Sequence, residues 1–203
     1  MNNGFRLITI VALVCIAPLS AQAFPIAKPG TEGLPIFVTS TEPVIATYQG
    51  NSAAYSNDLY LMLDQFGKPG DDGNPANDLF IFNNHATQVG EMQNIGTFSA
   101  GTELMFRLHV NNTGYDFFTG PSSINADGQF HARVEGNWQP NTTLVSFEDL
   151  YDPSGRSSNF NDLSFSFSNT AIAPIPEPEI YAMLLAGVGL LSGVTRRKNK
   201  KVK

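Results

Sequence analysis

Where the apolar residues of this chain recur regularly between Phe24 and Glu179, they recur every second position. No useful stretch carries the three-to-four spacing of a helix. Two segments show the pattern cleanly: Leu104, Phe106, Leu108 and Val110 alternate with Met105, Arg107 and His109, and Leu163, Phe165 and Phe167 alternate with Ser164, Ser166 and Ser168. Successive side chains of a strand point to opposite faces, so each segment predicts one buried and one wet face. Further short runs, separated by Gly, Asn, Asp and Pro, predict strands over 35–39, 44–48, 58–63, 79–83, 96–98, 102–111, 129–135, 143–148 and 163–168. Nine such strands predict an all-β body over residues 34–170, an antiparallel β-sandwich that is jelly-roll-like.

Charged residues make up only 15% of the chain, well below the usual share of about 25%. With 15 Phe and no long Lys/Glu-rich helix, this excludes a coiled coil. Between residues 24 and 173, five basic residues (Lys28, Lys68, Arg107, Arg133, Arg156) stand against 16 acidic ones, a net charge near −11. Such a surface repels phosphate backbones, so no nucleic-acid partner is expected. It attracts divalent cations, and it also keeps an exported domain soluble.

Both ends of the chain read as addresses rather than fold. Arg6, the apolar run Leu7–Leu19 and Ala21-Gln22-Ala23 predict a secretory signal helix over residues 1–23, cut by signal peptidase before Phe24. The single Cys15 lies inside this segment, so the processed chain has no thiol and no disulfide. Residues 24–33 are Pro- and Gly-rich and predict a flexible leader. At the other end, residues 171–179 form a Pro-rich linker containing Pro176-Glu177-Pro178. The 16 residues of Ile180–Thr195 predict a single transmembrane helix of about 24 Å. Arg196, Arg197 and Lys198 open a basic tail over 196–203 that holds this end in the cytoplasm.

The order Pro-Glu-Pro, short Gly-containing Leu-rich helix, terminal Arg/Lys cluster resembles the PEP-CTERM sorting tail of Gram-negative bacteria. The resemblance implies processing by an exosortase near Pro176, Glu177 and Pro178, with the membrane holding the chain before processing. It also implies delivery to the cell surface or the extracellular exopolysaccharide matrix.

Within the body, Asn-Asp precedes a predicted strand three times, at Asn57-Asp58, Asn77-Asp78 and Asn161-Asp162. Such side chains cap tight turns by bonding nearby backbone amides. The third copy faces a second acidic pair: Phe147-Glu148-Asp149-Leu150 ends one strand, and Asn161-Asp162-Leu163-Ser164-Phe165 begins the next. This hairpin resembles DUF4114 over about residues 85–169. Where many relatives have acidic residues in the turn, this chain has Ser157, Ser158 and Asn159. Glu148, Asp149, Asp152, Asn161 and Asp162 offer the hard oxygens that Ca²⁺ takes, with backbone carbonyls near Ser154 and Asn159 as additions. The same residues can instead cap the hairpin. A second acidic run, Asp71-Asp72-Gly73-Asn74 with Asn77 and Asp78, lacks the alternation and terminal Glu of an EF-hand.

No nucleophile-elbow, His-Glu-x-x-His, P-loop or dinucleotide fingerprint is present, and no catalytic residue is assigned. His109 and His131 are expected on wet strand faces. Glu148 and Asp149 are adjacent, so within a strand they would point apart, a poor arrangement for a glycosidase pair. The expected role is therefore a non-enzymatic surface or matrix protein. A lectin-like module using Trp138 and Tyr115-Asp116-Phe117-Phe118 as a sugar platform is the alternative, ahead of a secreted hydrolase.

Overall fold

A computed structural model of the chain describes residues 23–153 and 158–172. Its strands are β1 (Ile36–Val38), β2 (Pro43–Asn51), β3 (Asn57–Leu61), β4 (Leu79–Asn83), β5 (Met92–Thr97), β6 (Glu103–Leu104), β7 (Phe106–Val110), β8 (Tyr115–Phe118), β9 (Ala132–Gln139), β10 (Thr142–Phe147), β11 (Leu163–Ser168) and β12 (Thr170–Ala171). The helical elements among the described residues are two single 3₁₀ turns, Pro75–Asn77 and Ser122–Ile124. None is long or apolar enough to cross a membrane. The predicted signal helix, transmembrane helix and basic tail lie outside the described residues.

Every strand pair is antiparallel. A five-stranded sheet runs β5-β2-β11-β10-β9, a four-stranded sheet β4-β3-β7-β8, and a small third sheet β12-β1-β6. The alternation read from the sequence builds one core between the two larger sheets. Leu163, Phe165 and Phe167 of β11 are fully buried with Tyr48 of β2, Leu59 of β3, and Phe106 and Leu108 of β7. Ring contacts cross from sheet to sheet: Phe106 stacks on Phe167 at 4.1 Å, and Phe82 of β4 lies parallel to Phe165 at 6.1 Å. Burying each such ring contributes on the order of 2 kcal/mol.

The connections depart from the jelly-roll expectation. β3–β4 and β7–β8 stay within one sheet as paired neighbours, and β9–β10–β11 is a meander. A jelly roll instead passes from sheet to sheet as two Greek keys.

Three further differences have physical causes. The predicted strand 102–111 is broken at Met105, whose carbonyl accepts from the Met62 amide, so β6 joins β1 while β7 joins β3. Tyr115–Phe118, read as a sugar platform, is strand β8, and its Phe117 is core. The serine face of β11 is not wet: Ser164 and Ser166 are buried.

Part of the cover on that face comes from residues 24–33, which are pinned to the sheet rather than loose. The Ala27 amide donates to Ser146 Oγ at 2.9 Å, and Ser146 Oγ lies 2.7 Å from Ser164 Oγ. The Lys28 amide donates to Glu135 Oε2, and Lys28 Nζ pairs with Glu135 Oε1 at 2.6 Å. The Val134 amide donates to the Thr31 carbonyl and the Gly33 amide to Ala132. Phe24 closes over Gly50, where an added Cβ would sit 2.7 Å from the Phe24 Cβ.

Candidate metal centre

β10 and β11 run in register until Phe147 faces Leu163. The next residues outward are Glu148 and Asp149 on one strand and Asp162 on the other, so the hairpin delivers three carboxylates to one place. β10 ends at Phe147, so Glu148 and Asp149 escape strand alternation and do not point apart as expected. One ligand oxygen from each of Glu148, Asp149 and Asp162 lies within 4.8 Å of the others. Oxygens on opposite sides of one Ca²⁺ are about 4.6–5.2 Å apart, so three such atoms fit around a single ion.

The cluster is buried. Glu148 is 2% and Asp149 4% exposed, and Asp162 is half-buried. The Asp149 amide donates to Asp162 Oδ2 at 2.9 Å, and Asn57 Nδ2 of β3 donates to Asp149 Oδ2 at 2.8 Å. Glu148 accepts from the backbone of Phe160 and Asn159, so Asn159 turns an amide rather than a carbonyl toward the cluster. Two oxygens here have no hydrogen-bond partner, Glu148 Oε2 and Asn57 Oδ1. Among the described residues no Lys or Arg forms an ion pair with any of the three carboxylates.

Burial dominates the electrostatics. Loss of hydration raises Glu148 above the ordinary glutamate value, and the Asp149 charge adds to it. Asp149 is pushed up to about 6 by burial, against the Asn57 hydrogen bond and with the help of Asp162. Asp162 is pushed up to about 6 by burial, against the Asp149 amide and with the help of Glu148. Buried carboxylates without a counter-ion either hold protons or hold a cation.

The wall behind Glu148 is His131, which is fully buried rather than on a wet strand face. The Glu148 amide donates to the His131 carbonyl at 3.0 Å, and His131 Nδ1 lies 3.0 Å from the Glu148 carbonyl. His131 Nε2 meets Asp127 Oδ2 at 2.9 Å, and the ring stacks on Phe117 at 3.7 Å. Nothing in the sequence marked Asp127 or His131 as support for residue 148, because no spacing links them to it.

Of the five residues expected to bind metal, the structure converges three. Asp152 instead donates its amide to Asp127 Oδ2 at 2.8 Å, and its carboxylate is not in the converging group. Asn161 turns its carbonyl to Ser52, accepting from the Ser52 amide and Oγ. Ser154 lies outside the described residues, as do Pro176, Glu177, Pro178, Arg196, Arg197 and Lys198.

The second acidic run is spent on its own loop. Asp71 Oδ1 accepts from Gly73, Asp72 Oδ1 from Asn74, and Asn74 Oδ1 from Ala76, while Asn77 Nδ2 donates to Asp72 Oδ2. Asp78 pairs with Arg107 Nε at 2.8 Å. The aromatic platform is likewise dispersed: Trp138 is half-buried on β9, and Tyr115 stacks on Tyr151 at 4.7 Å with both rings exposed.

Residues 174–198 match the PEP-CTERM protein-sorting motif. No curated protein and no solved structure matches the chain. The motif makes this an exported protein, anchored in the membrane before processing, with an exosortase as its processing partner.

Proposed function

We propose that the chain is a non-enzymatic protein of the cell surface or exopolysaccharide matrix, whose body is completed by one Ca²⁺ held by Glu148, Asp149 and Asp162. On this reading the two facing sheets are a β-sandwich, and the acidic hairpin is the part the body shares with DUF4114-like domains. One observation carries the reading: three carboxylates converge in a buried place with no cationic partner among the described residues. Burial also speaks against catalysis. Two surface cavities among the described residues, of about 480 and 230 Å³, are lined by Phe24, Gly50 and Val89 and by Asp78, Arg107 and Asp116, none of them residues of this cluster.

The test is thermal unfolding with chelator and with millimolar Ca²⁺. An ion bound only by the folded form at about 100 times its dissociation constant stabilises by about 2.7 kcal/mol. In a body of this size that raises Tm by about 5–10 °C. Asp162→Ala should abolish the rise. Equal melting in chelator and Ca²⁺ would remove the ion from the account.

A second reading keeps the exported body but makes it a sugar binder. It rests on the exposed Tyr115–Tyr151 stack, which offers a flat aromatic surface. Glycan binding that is lost in Tyr151→Ala would favour it. Retention in that variant, or no glycan binding by the parent chain, would dismiss it.

A further inference from the structure

We propose that Asn57 is a fourth oxygen ligand to the same cation, so that the ion fastens the four-stranded sheet to the five-stranded one. The proposal rests on the Ca²⁺ reading above but on a separate observation. Asn57 is fully buried, its Oδ1 has no partner, and its other amide atom is in contact with Asp149. It comes from β3, whereas the three carboxylates all come from the β10–β11 hairpin, 92 positions away from Asn57 at Asp149.

The side chain is not needed to shape its own turn. Asn84 does that: its Oδ1 accepts from the Asn57 amide at 2.8 Å, its amide donates to the Asn57 carbonyl, and its Nδ2 donates to the Tyr55 carbonyl at 2.9 Å. The following Asp58 is held by Asn83 Nδ2. What remains to the Asn57 amide is a long 3.3 Å bond to the Tyr55 carbonyl and the 2.8 Å contact with Asp149 Oδ2.

The geometry of that contact suits a shared ion. A half-turn of the Asn57 amide exchanges Nδ2 and Oδ1 and places the oxygen where the nitrogen now lies. Two oxygens separated by the present 2.8 Å, each about 2.4 Å from one Ca²⁺, subtend about 72° at the ion, the angle between equatorial ligands of a pentagonal bipyramid. Without an ion, two oxygens at that distance repel, and the amide nitrogen is the atom that fits. With an ion, the oxygen that now lacks a partner gains the cation, in exchange for the nitrogen's bonds to Asp149 Oδ2 and the Tyr55 carbonyl. Glu148 Oε2, the other unpartnered oxygen, gains its partner in the same event.

The experiment is a calorimetric Ca²⁺ titration of the full chain in detergent, comparing the parent with Asn57→Ala and Asn57→Asp. Asn57→Ala should weaken Ca²⁺ binding by about tenfold or more. Asn57→Asp should bind at least as tightly as the parent, because it keeps a ligand oxygen and adds charge. Amide exchange over β3 should slow with Ca²⁺ in the parent and stay unchanged in Asn57→Ala. Ca²⁺ affinity within about twofold of the parent in Asn57→Ala would overturn the proposal and leave the carboxylate site standing. A parent chain that takes up no Ca²⁺ would overturn both. If Asn57→Ala does not fold, Asn57→Asp decides: weaker Ca²⁺ binding than the parent would mean that the amide nitrogen, not the oxygen, is what the site uses.

Discussion

At the scale of single residues, the ion-free site should declare itself through pH. Asp149 and Asp162 titrate near 6 in the folded chain against an ordinary 3.8, and Glu148 is shifted in the same direction. Between about pH 4 and 6 the folded form therefore holds protons that the unfolded chain has released, and stability falls as pH rises. Above 6 both forms are ionised, and this loss is complete. Asp127 and Glu32 are shifted the opposite way, below their ordinary values, so their contribution changes at more acid pH and does not cancel the effect. In chelator, Tm should accordingly be higher at pH 5 than at pH 7, and Asp149→Asn or Asp162→Asn should flatten the difference. A chelated protein that gains stability from pH 5 to 7 would mean that these carboxylates are neutralised by something other than protons. The sequence marked Glu148, Asp149 and Asp162 because they bracket one hairpin. It read Asn57 as a turn cap, because its partner Asp149 is brought near only by the packing of two sheets.

At the scale of elements, alternation located most strands, and β4 and β11 lie at their predicted limits, while β8 and β12 fall outside every predicted range and β5 overlaps its range only at Gly96 and Thr97. It failed where an outer face is covered by distant chain. Ser164 and Ser166 look like a solvent face by composition, yet Ser164 meets Ser146, which is held by Ala27 across 119 positions, and Ser166 accepts from Gln49 Nε2 at 2.8 Å. A Pro- and Gly-rich stretch such as 24–33 cannot form a helix or an inner strand, but it can still lie across a sheet and bond its backbone to it. Gly50 makes room for that strap. Its φ of +134° disfavours any side chain, and the Phe24 ring carbons fill the space a Cβ would need. Gly50→Ala should therefore cost about 1–3 kcal/mol through backbone strain and displacement of Phe24. Urea unfolding measures it, and deleting residues 24–33 should cost more than this single change. A fully stable Gly50→Ala protein would show that the strap contributes little.

At the scale of the whole molecule, the folded body and its sorting signal nearly touch. β12 pairs with β1, the Thr170 amide donates to the Asn141 carbonyl, and Ile172 packs over Gly136, so the packed body reaches at least to residue 172. The sorting motif begins at residue 174. Three residues, Ala173-Pro174-Ile175, lie between Ile172 and Pro176, and however they are arranged the two Cα atoms are at most about 14 Å apart. An exosortase cutting near Pro176-Glu177-Pro178, as the resemblance to PEP-CTERM tails implies, would meet a folded domain within a few residues of the bond. It must work against the body or wait for β12 to come away. β12 is the element suited to yield, since it is two residues long and pairs with a strand of three. A flexible Gly/Ser spacer of about ten residues inserted after Ile172 removes that obstruction without touching the fold or the motif. Tail removal, followed by intact mass in the exporting bacterium, should then run faster than in the parent. Thr170→Val, which deletes the bond from Thr170 Oγ1 to the Phe167 carbonyl, should push in the same direction by loosening β12. Equal rates in all three chains would show that the enzyme reaches its bond with the body fully closed.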